Sequence, residues 1–339
     1  MKPDKSSQPD NLLLSSVTPL YGFVSDADVV VLNNEATITR NTKEHLDVLS
    51  PHDVFIDHIR LYQPQHLLWK TIALSSDQVT SIADFCRALE VDSWSGGAEN
   101  ASSHLVYIEP VCQLLRTFQL FKPGRLVAGD TSFFLRTQEV GCSTASLVRC
   151  SEMSIDYQFV QHYSPQYEFN SAEIPFFLSF VNRINAVWPI AQKYPQIDLA
   201  LHRYCKESGR YGEVIDLMIS LEALLVPEEE GIAFRLSQRV ANLLGSDAPS
   251  RKELFKQIRE FYGLRSRIVH GAKIRPKEIS AAQQLDALRE ITRRVLLSVM
   301  ALASDTELSS DFYASLNDMC LDDDLRSSVQ AKASALLHF

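Results

Sequence analysis

Five successive stretches, Leu199 to Glu207, Val214 to Leu225, Ile232 to Leu244, Arg251 to His270 and Ile279 to Ala303, carry apolar residues at three- and four-residue steps. Between them stand SGRYG, VPEEEG and GSDAPS, sequences that turn a chain back within a few residues. Such a grammar confines residues 198–303 to an all-α, antiparallel helical bundle with short connections. The strongest stripe, Val214, Leu217, Met218, Leu221, Leu224 and Leu225, reads as plain core.

Within this region the run FKQIREFYGLRSRIVHGAKI, Phe255 to Ile274, holds two residues that do not fit a core. Leu254, Ile258, Phe261, Tyr262, Ile268 and Val269 mark the apolar face of a helix, and Arg265 lies on that face. A buried unpaired guanidinium costs several kcal/mol, so Arg265 is either paired structurally or kept for chemistry. Glu222, in SLEALL, is the candidate partner if it does not face solvent. His270 falls at the expected helix end, because Gly271 can adopt the left-handed conformation that stops a helix. There the negative end of the helix dipole favours imidazolium.

The rest of the chain reads differently. Residues 1–16 are polar and expected to be disordered. Val29 to Leu32 and Ala36 to Thr39, split by Asn33, Asn34 and Glu35, predict a β-hairpin. Val54 to Trp69 fits strand or helix, Ser76 to Leu89 a helix, and Trp94 to Ser103 a loop without phosphate-cradle spacing. Leu105 to Ile108 predicts a strand, with a helix starting at Pro110, and Leu126 to Leu135 and Thr144 to Cys150 predict further strands. Residues 17–165 are thus expected to form an α+β N-terminal domain. Residues 166–197 are expected to form a connecting helix, opened by a capping box of Asn170 and Glu173. Residues 304–339 are an acidic tail whose Leu325, Val329, Ala333, Leu336 and Leu337 predict a terminal helix.

Charge is uneven along the chain. The net charge is -9, yet residues 251–300 carry twelve Lys or Arg against five Asp or Glu, and residues 301–339 carry two against seven. A polyanion would therefore meet the helical region around Arg265, unless this is only a solvated basic face. The six cysteines include no CxxC pair, and no apolar run approaches the ~20 residues needed to span a bilayer. The expectation is a soluble chain in a reducing cytoplasm, with no membrane segment, no metal and no cofactor. His52, Asp53, Asp57 and His58 offer ligand types at a spacing that fits no metal motif.

An arginine followed by four to six residues and a histidine occurs three times, as Arg40 with His45, Arg60 with His66, and Arg265 with His270. Chance alone gives about two such pairs in a chain of this composition, so context must choose between them. Only Arg265 and His270 sit in an all-α unit. The ordered segments ALHRYCKES, VIDLMISLEALLVPEEE, RLSQRVANLLG and FYGLRSRIVHGAKI resemble the Apea-like branch of HEPN domains over residues 198–303. LLRTFQLFKPGRLVAGDTSFFL is similar to the region that precedes such domains in bacterial proteins. Many active members place Asn or Asp directly after the arginine, where this chain has Ser266.

The resemblance implies a homodimeric, metal-independent endoribonuclease acting on single-stranded RNA or a tRNA loop, in a family associated with defence against phage. Along a straight helix five residues turn through about 500°, so Arg265 and His270 point about 140° apart and one helix aims them poorly at one phosphate; the resemblance implies that two copies assemble the site. In that reading Arg265 binds phosphate, His270 moves the proton, and Ser266, Arg267, Lys273 and Tyr262 contact the RNA. Glu222 supports Arg265. Two other classes remain open: a catalytically silent RNA- or nucleotide-binding module, and a structural or regulatory partner protein in which Arg265 and Glu222 only fix the bundle.

Overall fold

The computed structural model describes residues 13–32, 35–42, 66–73, 101–124, 126–129, 131–136, 148–150, 167–206, 210–271 and 282–337. The chain divides into two compact units, residues 1–115 with 124–174 and residues 116–123 with 175–339. The helix reading at 76–89, the 94–100 part of the loop reading over 94–103, the His52 cluster and Lys273 lie outside the described residues, while residues 101–103, also read as loop, are helical.

A sheet region followed by a mostly helical region is the layout that results. In the first unit β1 (Leu13–Tyr21) is central and pairs antiparallel with β5 (His66–Ala73) on one side. On its other side stand β6 (Val127–Ala128) and β7 (Thr131–Arg136), and β7 in turn pairs with β8 (Val148–Cys150). The hairpin β3 (Val29–Val31) and β4 (Ala36–Arg40) closes the sheet beyond β5, with Val30 opposite Ile38. Residues 13–16, the end of the stretch expected to be disordered, are therefore ordered as the start of β1. Ser15 and Ser16 are buried, and Ser16 Oγ donates to the Lys70 carbonyl at 3.3 Å, so ladder pairing on both sides outweighs the weak local β signal. The long strand read over 126–135 is two strands, broken at Gly129.

A second, parallel pair joins β2 (Phe23–Ser25) to β9 (Tyr167–Phe169), which puts a strand where a connecting helix was expected to begin. Phe23 packs there on Tyr167, Phe169 and His66. Burial lowers the His66 pKa, opposed by the hydrogen bond that Nδ1 donates to the Phe23 carbonyl at 3.1 Å. Leu105 to Ile108 is not a strand either, since α1 (Ala101–Phe121) runs through it and through Pro110.

In the helical unit α2 (Ile174–Ala191) buries Phe177, Phe180, Ile184 and Trp188 along one face, and Phe177 stacks on Phe118 of α1 with ring centroids 4.1 Å apart. A 3-10 turn over Ser171–Glu173 precedes α2, and the Asn170 N–H donates to Glu173 Oε2 at 2.9 Å, the return half of the capping box. Then come α3 (Pro195–Cys205), α4 (Arg210–Leu225), α5 (Ile232–Leu244), α6 (Ala248–Val269) and α7 (Ala282–Ala303). All six residues of the α4 stripe are buried. The acidic segment folds as α8 (Ser310–Asp318) and α9 (Asp323–Ala333), packed on α5 and α7, with Gln330 donating to the Asn242 and Gly245 carbonyls.

Three buried arginines tie this unit together. Arg239 is fully buried and holds Glu228 with two nitrogens at 2.8 and 2.6 Å, while Nε donates to Asn317 Oδ1. Arg289 holds Glu213 at 2.9 Å beside Tyr204, whose hydroxyl burial pushes up to about 12. Arg293 grips Glu290 and donates to the Leu120 and Phe121 carbonyls, satisfying the last turn of α1.

Candidate functional site

Helix α6 carries the site. Asp247 caps it, accepting the Ser250 N–H at 2.7 Å, and Gly271 ends it with φ of 65° directly after His270. Ile258, Phe261 and Leu264 are buried, and α6 packs against α4 and α5. Val269 departs from the expected stripe. It lies three turns beyond Ile258 on the same side of the helix, yet is 51 % exposed, and Leu264 is the last buried residue of α6. The last turn of α6 thus projects past the helices that cover its middle.

Arg265 sits at the start of that uncovered turn with its side chain 25 % exposed. Its Nη2 stands 3.7 Å from Glu222 Oε2, and its guanidinium carbon lies 5.8 Å from the Tyr262 ring centroid. Glu222 is thereby turned inward, and burial raises its pKa while the Arg265 charge pulls it back. Glu222 Oε1 and Arg265 Nε are both buried without a hydrogen-bond partner among the described residues. Arg265 is oriented but not saturated, unlike Arg239, whose three nitrogens are all engaged.

His270 is exposed, and its backbone N–H donates to the Ser266 carbonyl at 3.1 Å. No hydrogen bond or ion pair among the described residues joins it to Arg265. The other expected RNA contacts separate. Tyr262 is half-buried against Arg265 of its own chain, an engagement that differs from stacking on a base. Arg267 stands about 200° around the helix from Arg265 and lines a groove between α6 and α7, so within one chain these two cations do not share a surface. Ser266 is half-buried between them.

That groove, about 600 Å³ in volume, was not anticipated. The available signal was the seven-residue spacing of Glu253, Glu260 and Arg267, which stacks them along one side of α6. Among the described residues no group of His, Cys, Asp and Glu is arranged to hold a metal ion, and no helix is long and apolar enough to cross a membrane. No family model matches the chain, and no curated protein or solved structure matches it.

Proposed function

We propose that the protein is a metal-independent endoribonuclease of the HEPN type, cutting single-stranded or loop RNA, with tRNA loops among its substrates, at a site shared by two copies of the chain. The observation that carries this reading is the state of Arg265. A guanidinium held in place by one distant carboxylate and one aromatic ring, with an open side toward solvent, is prepared for a phosphate. The exposed Val269 between Arg265 and His270 is an apolar side chain that a partner helix could cover, and a second copy would offset the lack of contact between the two residues within one chain.

In the proposed reaction the ribose 2′-oxygen attacks its own 3′-phosphorus, forming a 2′,3′-cyclic phosphate and breaking the bond to the 5′-oxygen. One His270 takes the 2′-hydroxyl proton and its twin returns a proton to the leaving 5′-oxygen. Arg265 binds the phosphate oxygens as charge builds on them. A role in defence against phage follows from the family resemblance alone.

The test is incubation of the purified full-length protein with total RNA in EDTA, followed by mapping of the ends. Cyclic phosphate and 5′-hydroxyl ends that disappear with His270→Ala support the reading; ends that persist in that variant, or that form only with added metal, reject it. Ser266 after the arginine favours one other outcome, in which RNA is bound and its ends are unchanged.

A further inference from the structure

Helix α6 keeps one line of residues toward solvent from its second turn to its end, and the charges on it are sorted. Lys252 stands five whole turns before His270, so the two side chains leave the helix in about the same direction. Lys256 and Arg259 fall within about 40° of that direction. All four are exposed. The acids of the helix, Glu253 and Glu260, lie about 80° to 100° to one side. Glu253 accepts from Gln257 Nε2 at 2.9 Å, and Glu260 comes no closer to Lys256 than 4.0 Å, a pairing of two exposed side chains that is worth little in water. Among the described residues no ion pair holds Lys252 or Arg259.

Gly263 continues the line one turn beyond Arg259, about 20° from the direction of His270. Glycine inside a helix costs stability relative to alanine, and neither conformation nor crowding asks for it here. Its backbone is not left-handed, and the nearest atom to a Cβ would be Arg267 Nη1 at 3.6 Å, an ordinary contact. The missing side chain leaves a dip in the ridge with the Arg267 guanidinium at its edge. A strand laid along this face can therefore approach the helix closely two turns before His270.

We infer that this face of α6 is a track for the backbone of single-stranded RNA, leading it to His270 from one side of the cut. Lys252, Lys256 and Arg259 each take a phosphate, so the track reads charge and not sequence. From Lys252 to His270 it measures about 27 Å, room for several nucleotides. Val269, which a second copy would cover, stands about 100° away, so association leaves the track open. An acidic protein is the other polyanion a basic face could meet. The line Lys252, Lys256, Arg259, Gly263, Ser266 and His270 holds no apolar residue, however, and a protein interface is built around an apolar centre. The assignment to RNA rests on the ribonuclease reading, whereas the choice of a phosphate-bearing strand rests on the face itself.

The experiment measures binding of a fluorescein-labelled single-stranded RNA of about twelve nucleotides to full-length His270→Ala, from about 50 to 200 mM salt, and KM and kcat of the chain with His270 intact on the same RNA. Lys252→Gln, Lys256→Gln and Arg259→Gln are each expected to reduce the slope of log affinity against log salt by about 0.7. The triple variant is expected to bind about tenfold or more weakly and to raise KM by a similar factor, with kcat within about twofold of wild type. Glutamine keeps the helix propensity, so melting temperatures stay within about two degrees. Lys332→Gln, an equal loss of charge on α9, is expected to change neither slope nor KM, and Arg259→Lys to keep the slope. Unaltered slopes in the three variants, an equal effect of Lys332→Gln, competition by polyglutamate as strong as by unlabelled RNA, or no RNA binding at all overturns the track. Cleavage with KM unmoved in the triple variant removes the track and leaves the nuclease. The expected slopes in a protein that cleaves nothing keep the track and remove the nuclease.

Discussion

Arg265 Nη2 stands 3.7 Å from Glu222 Oε2, whereas Arg239 Nη2 stands 2.6 Å from Glu228 Oε1. Both are arginine–glutamate pairs in one helical unit, and the difference separates two uses of the same chemistry. Arg239 is entirely buried and spends its nitrogens on carboxylate, carbonyl and amide oxygens. Arg265 keeps an ion pair too long for a hydrogen bond and an outer face open to solvent.

Removing the imidazole tests chemistry with little risk to the fold. His270 is exposed and its side chain lies at the end of α6, so His270→Ala is expected to melt within a degree or two of wild type. RNA cleavage should fall by ~10² to 10⁴, the range of a positioned acid-base group. Rates measured with circular dichroism on the same samples decide it, and an unchanged rate sinks the assignment of His270.

Glu222→Gln probes the pair from its other side. Burial raises the Glu222 pKa, so ionised Glu222 is a cost at neutral pH; the stabilising form is the protonated one, present below the ordinary carboxylate range and lost as pH rises through the raised value. Glutamine is neutral throughout. The variant is expected to match or slightly exceed wild-type stability at pH 7, within ~1 kcal/mol, with the difference shrinking below pH 4.5. Its RNA cleavage should drop, because only the Tyr262 ring then orients Arg265. An unfolded variant that also fails to bind RNA would mean that the pair exists for the bundle.

Helical periodicity made α4 and α5 legible because each buries one continuous face, and Gly271 announced the end of α6 through its backbone conformation. The Arg265–Glu222 pairing was legible for a simpler reason: an arginine on an apolar stripe needs a partner, and Glu222 was the acid among the leucines facing it. The sheet was harder to read. Strand β1 includes two serines and a threonine whose burial comes from neighbours 50 residues and more away in sequence, a fact that local propensity does not contain. The α6–α7 groove escaped because its residues are polar and read as solvated surface until a second helix lies beside them. Glu228 was read only as part of a turn, since nothing in VPEEEG reveals that Arg239, buried in the next helix, closes on it.

The contrast between the two arginines gives a stability prediction. Arg239→Ala leaves Glu228 and the Leu225 carbonyl without their buried donor, and is expected to cost ~3 to 5 kcal/mol, while Arg265→Ala is expected to cost no more than ~1 kcal/mol. Denaturant titrations of both variants measure this. Similar losses for the two would erase the distinction on which the reading of Arg265 depends.

Acid sensitivity should trace to Glu228. The Arg239 hydrogen bonds hold its carboxyl down to about 2 from an ordinary 4.5, so the stability it contributes is present above pH 4.5 and disappears as pH falls from there toward 2. Melting temperature followed across that window should decline less steeply in Glu228→Gln than in wild type, after allowing for the variant's lower starting stability. Parallel declines would assign the acid response to other carboxylates.

Sharing one site between two chains makes rate depend on association. If each cut needs Arg265 and His270 from both copies, specific activity must fall on dilution through the dimer dissociation range, and light scattering must show twice the 38.2 kDa chain mass at concentrations where the enzyme is active. Val269, 51 % exposed in the uncovered turn of α6, is the residue to disturb. Val269→Glu places a charge in the expected contact while touching no group that binds phosphate or moves a proton. It is expected to shift the dimer toward monomer, to lower cleavage at dilute concentrations, and to recover activity as protein concentration rises. A variant that stays monomeric and cleaves at the wild-type rate would show that one chain suffices, and the two-copy site would have to be abandoned.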